Sequence, residues 1–254
     1  MTIERAHKKL TSIIGTSEIE PLQAAIEVER LRQTWRPENV RVVLLAESHV
    51  WTSEFEAECR VRFDGQHETG YARFVYCLGY GESSLVTGDK LPEANSGTWQ
   101  YWRLFHDCVH GPSDHKNIKV LKATTPNTTR RVEAKIELLK KMQERGLWLV
   151  DASVTALYHQ GRKLAAGRRY SEALRASWAD HVADTLRDSS PEKVLIIGKA
   201  VENALRGSIL DVLPCAKINC VAQPNARLSR DQIENMRSAC RDFCLADKGS
   251  SLEF

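Results

Sequence analysis

Short, nearly unbroken apolar runs alternate along the chain with longer stretches in which apolar residues recur every three or four positions. The runs are Val42–Leu45, Leu147–Val150, Val194–Ile197 and Ile218–Ala222. Their length and their β-branched residues predict strands buried on both faces. Between them the helical period takes over. Ile19–Trp35 has Pro21 near its start and Leu22, Ala25, Ile26 and Leu31 as apolar positions; Val132–Arg145 carries Ile136, Leu139 and Met142 and stops at Gly146. Ser171–Leu186, Ala200–Leu210 and Asp231–Cys244 continue the series, the last with Ser229 as N-cap. Trp99, Trp102, Leu104 and Phe105 predict a short helix with an aromatic face. Tyr71–Tyr76 reads as a further strand among glycines, and Gly111–Asn127 as irregular. Helices between buried strands predict an α/β fold, a three-layer αβα sandwich around a central, mainly parallel four-stranded sheet. The expected organisation is one domain over residues 1–248, with 51–127 as a variable insert and 249–254 as a flexible tail.

The strand ends carry the polar chemistry. The first run ends on Ala46-Glu47-Ser48-His49, the second on Asp151, the third on Gly198-Lys199 and the fourth on Gln223-Pro224-Asn225. In a parallel sheet these emerge at one edge, where ligands meet catalytic groups. Taken singly, each is equally a plain polar loop; their convergence is what points to a site.

Composition narrows the setting. Hydrophobic residues are 42% of the 254 and charged residues 27%, ordinary for a globular chain, and the net charge of +3 neither demands nor excludes nucleic acid. No run approaches ~20 apolar residues, so no membrane span is expected. The start, Met1–Leu10, lacks the apolar core of a signal peptide. Seven cysteines, without C-x-x-C spacing, support neither a zinc ribbon nor an iron–sulfur framework; free thiols predict a reducing, cytoplasmic setting and no metal or cofactor. Cys240 and Cys244 fall on one helix face as small core residues. Gly81-Glu82-Ser83-Ser84-Leu85 lacks the second glycine of a nucleophile elbow, and no Gly-x-Gly-x-x-Gly follows the first strand.

In order and context, five motifs resemble the uracil-DNA glycosylase superfamily. Ala46-Glu47-Ser48-His49 is similar to that family's water-activating loop. Arg145–Thr155 resembles its Gly-Val-Leu-Leu-Leu-Asn-x-x-Leu-Thr strand, and Trp178–Val182 the helix that follows. Val194–Ala200 is similar to its strand ending in Gly-Lys or Gly-x-x-Ala, and Gln223–Ser229 falls where the family has His-Pro-Ser-Pro-Leu-Ser. The likeness spans about Arg41–Cys244 and is poorest over 51–127. There are departures. Glu47 matches the position where one branch carries its catalytic Glu, Ser48 stands where the other has Asp, and the His that bonds the departing base is Gln223.

The resemblance implies hydrolysis of an N-glycosidic bond by base flipping, on single- or double-stranded DNA, by a monomer without cofactor. That reaction needs an oriented water, a carboxylate near the cationic sugar and a donor near the base. Glu47 would supply the carboxylate, Gln223 an amide donor, and His49 acid or donor duty unless it is a backbone-bonded loop histidine. Ser48, Tyr76, Asp151 and Asn225 are the candidate base contacts. Lys199, Arg227, Leu228 and Ser229 are the candidate DNA contacts, with Arg227 and Leu228 at the family's wedge. An amide cannot give up a proton, so a damaged or modified base is expected rather than ordinary uracil. A catalytically degenerate DNA-binding module and an enzyme on small nucleotides are the alternatives.

Overall fold

The computed structural model describes residues 2–111, 118–224 and 226–245; Asn225 and the 249–254 tail lie outside the described residues. Four strands, β1 (Val42–Ala46), β2 (Leu147–Asp151), β3 (Lys193–Ile197) and β4 (Lys217–Val221), form one sheet in the order β2-β1-β3-β4, parallel throughout. The first three are buried at every position, as strands covered on both faces must be. The edge strand β4 is exposed at alternate residues.

Among the described residues seven helices flank the sheet: α1 (Ile3–Ile14), α2 (Leu22–Thr34), α3 (Trp99–His110), α4 (Thr128–Glu144), α5 (Arg168–Ser177, continuing through a π-helical turn at Trp178–Val182 into Ala183–Ser189), α6 (Lys199–Val212) and α7 (Arg230–Leu245). Helices α3, α4 and α7 cover one face; α1, α2, α5 and α6 cover the other. This is the three-layer α/β sandwich read from the apolar runs. The Arg237 guanidinium clamps Asp107 at 2.6 and 2.7 Å, pinning α7 to α3. Cys240 and Cys244 face the core there, as expected. Ser229 caps α7: its Oγ accepts from the Gln232 N–H while Gln232 Oε1 accepts from the Ser229 N–H.

The structure departs from the sequence reading at two elements. Tyr71–Tyr76 is not a strand. Residues 72–82 run through successive turns, with Cys77 N–H bonded to the Phe74 carbonyl at 2.9 Å and Tyr80 N–H to the Cys77 carbonyl at 3.0 Å. Its aromatic side chains fill the core while turns satisfy the backbone. Helix α1 is the second: Ile3, Ala6, Leu10, Ile13 and Ile14 hold helical spacing and bury Ala6, Leu10 and Ile14, so Ile3–Ile14, to which the sequence reading assigns no element, is an amphipathic helix.

The 51–127 region contributes a helical turn (Glu54–Ala57), a small antiparallel sheet (Thr69–Gly70, Arg60–Val61, Val86–Thr87) and α3. Tyr71, Phe74, Tyr76 and Phe105 from this region join the same apolar cluster as the sheet. Among the described residues no helix is long and apolar enough to cross a membrane.

Candidate active site at the strand ends

The strand order reverses beside β1, so its carboxyl end and that of β3 open a crevice, the place where open α/β sheets bind ligands. A cavity of about 250 Å³ occupies it, lined by Glu47, Ser48, His49, Asp151 and Gln223 from the predicted motifs. Arg73, Phe74, Thr98, Tyr101 and Tyr158 complete most of the wall.

Glu47 is set by backbone first. Ala46 pairs with Asp151 in register, and the ladder continues past both strands: the Ala152 N–H meets the Ala46 carbonyl at 2.7 Å and the Ser153 N–H the Glu47 carbonyl at 3.0 Å. The buried carboxylate then accepts two hydrogen bonds. The Tyr170 hydroxyl of α5 donates to Oε1, and Gln223 Nε2 donates to Oε2 at 2.9 Å. Burial raises the Tyr170 phenol, and the carboxylate beside it raises it further, so it stays a donor.

Gln223 reaches Glu47 because residue 198 is glycine. Gly198 adopts φ +114°, a conformation that a side chain strains, and a Cβ there would lie 3.0 Å from Gln223 Cγ. The Gly198 N–H also bonds the Val221 carbonyl at 2.8 Å, tying the ends of β3 and β4 together. Two motifs separated by 176 residues thus meet over one cavity.

His49, two residues along the same loop, is held differently. Its Nε2–H donates to Glu20 Oε1 at 2.6 Å and its Nδ1–H to Asp151 Oδ2 at 3.0 Å, with the ring fully buried. Burial alone would lower its pKa, but the two carboxylates overcome that and raise it to about 9, so the ring is an imidazolium at neutral pH. Asp151 also takes Arg32 Nη2 at 3.2 Å, and Arg32 pairs onward with Glu29. Glu20 accepts a second bond from the Ala156 N–H at 2.8 Å. A chain of alternating charge, Glu20–His49–Asp151–Arg32–Glu29, runs from the core to half-buried Glu29, and its His49 and Asp151 line the cavity. With both N–H groups committed, His49 is a positioning residue rather than the acid or donor expected of it.

The other expected residues divide. Ser48 lines the cavity, its Oγ accepting from the Leu157 N–H at 3.2 Å. Tyr76 does not: it is buried in the core, where its hydroxyl accepts the N–H of Leu149 on edge strand β2 at 2.8 Å. Phe74 and Tyr101 stand on the wall in its place. Lys199 is exposed at the start of α6 and paired with Glu202; Arg227 is exposed and Leu228 half-buried on the loop that carries Gln223; Ser229 is engaged as the α7 cap. Asn225 lies outside the described residues.

A hairpin, Tyr158–His159 paired with Arg162–Lys163, went unread in the sequence. Its turn, Gln160-Gly161, has positive φ at both residues, the two-residue geometry matched to strand twist. It puts Tyr158 on the wall, stacks His159 on Trp51 at 3.9 Å, and sets Lys163 over the Tyr170 ring. Among the described residues no cluster of three or more His, Cys, Asp or Glu side chains is arranged to hold a metal ion.

Fold and site together define an α/β protein with a carboxylate-centred cavity at a sheet switch point. Comparison of the chain with protein-family models, curated proteins and solved structures returns no match in any of the three.

Proposed function

We propose that the protein is a DNA glycosylase that hydrolyses the N-glycosidic bond of a modified base flipped into this cavity. The observation that carries the reading is the Glu47–Gln223 contact at 2.9 Å across the strand-end cavity, which joins two of the motifs that resemble the uracil-DNA glycosylase superfamily. Glu47, with one lone pair on each oxygen occupied, retains lone pairs to orient a water and a charge to oppose the cationic sugar. Gln223 gives one N–H to Glu47; its second N–H and its carbonyl are left for the base. Exposed Arg227, half-buried Leu228, Lys199 and the Arg162–Lys163 strand supply phosphate contacts and a wedge. Seven unbridged cysteines suit a reducing, cytoplasmic setting. The protein acts as a monomer on single- or double-stranded DNA.

The test is abasic-site formation on DNA carrying a panel of modified bases. Release of at least one base above background is expected. No release of any, with salt-dependent DNA binding retained, would make the protein a non-catalytic binding module.

A further inference from the structure

We propose that the cavity selects a base that is cationic before the bond breaks, an N-alkylated purine such as one methylated at ring N7; this rests on the glycosylase reading above. Two observations carry it.

The first is that, among the described residues, the wall offers no acid free to protonate a departing base. His49 has given both N–H groups to Glu20 and Asp151. Arg73 is bound to Glu56 at 2.7 Å, and an arginine does not release its proton. Gln223 is a neutral amide. Tyr101 and Tyr158 are phenols, which yield a proton far less readily than an imidazolium, and burial raises Tyr101 further. A neutral base must leave as an anion or be protonated as it goes; no group here serves the second route, and the first has only the neutral Gln223 amide and Thr98 hydroxyl to hold an anion beside Glu47.

The second is charge. Of the two carboxylates on the wall, Asp151 is paired with the cations His49 and Arg32, whereas Glu47 is held by the neutral groups of Tyr170 and Gln223. A carboxylate whose partners are neutral repels a departing anion and attracts a cationic ring. Tyr101 on the wall is an aromatic partner for a cation, and the Thr98 hydroxyl on the same wall, buried without a partner, is available to an exocyclic group.

The step balances with water as the only co-reactant. The C1′–N bond breaks and its electron pair returns to the ring nitrogen, cancelling the ring's positive charge. The base leaves neutral. The water oxygen bonds C1′ and its proton passes to Glu47.

Single-turnover release from matched duplexes carrying N7-methylguanine, uracil or hypoxanthine at one position tests this, with release in the absence of protein subtracted. N7-methylguanine should leave at least ~100-fold faster than either neutral base, the lower end of what a general acid contributes. Release of uracil or hypoxanthine within ~10-fold of it overturns the inference while leaving a glycosylase. Release of none of the three, nor of any other base in the wider panel, overturns the glycosylase reading and this inference with it.

Discussion

Glu47 and His49 lie two residues apart on one loop, yet the molecule uses them in opposite ways. Glu47 is held by two neutral donors, a phenol and an amide, and keeps lone pairs toward the cavity. His49, fully buried, is fixed between two carboxylates in a chain of charges that ends at half-buried Glu29. Neutral partners position a carboxylate without neutralising it, which leaves it available for chemistry. Charged partners on both sides of an imidazole make a strong bolt and remove it from proton transfer. Adjacent polar residues at a strand end therefore do not share a role; what each one faces decides it.

The largest effect that can break this contrast is on stability. His49→Ala strands two buried carboxylates and should cost roughly 3–5 kcal/mol of unfolding free energy in urea titration. A variant as stable as the parent but unable to release a base would move His49 into the chemistry. A related effect appears with pH. The folded-state pKa of His49 is raised, so its stabilisation is full below pH ~6.5 and lost as pH rises toward about 9. The loss across that window is roughly 3 kcal/mol at most and should be missing from a His49→Gln variant compared at pH 6 and pH 9.5.

Gly198→Ala sharpens the other half. The positive φ and the close approach to Gln223 predict a stability loss of about 1–3 kcal/mol, seen as a lower melting temperature, together with slower base release. Unchanged release would show that Gln223 need not touch Glu47. The smallest effect lies at the rim. Arg227→Ala should reduce the slope of log K against log salt for DNA binding by about 1, without altering which base is preferred.

The sheet was legible because buried parallel strands write themselves as apolar runs, and all four lie within a residue of their expected bounds. The helices were legible from their period, apart from α1, whose apolar stripe is interrupted by Lys and Arg. Half of the site was readable for the same reason, since Glu47, Asp151 and Gln223 follow directly from strand ends. The partners that define their roles were not. Glu20 sits in the loop after α1, Arg32 inside α2, and Tyr170 in the first turn of α5, one residue before the expected helix start. Nothing in local spacing marks these as facing residues 29 to 123 positions away. Tyr76 misled because aromatic and β-branched residues suit a strand and a buried run of turns alike.

The most direct measurement is base release by Glu47→Gln, on the substrate that the unaltered protein cleaves best, alongside its melting temperature and DNA affinity. The replacement keeps the shape of the side chain and removes its charge. The account predicts a loss of ~100- to 1,000-fold in single-turnover rate, as for removal of a comparable electrostatic group, with melting temperature and DNA binding little changed. An unaltered rate would contradict it, because the carboxylate at the end of β1 would then have no part in breaking the bond.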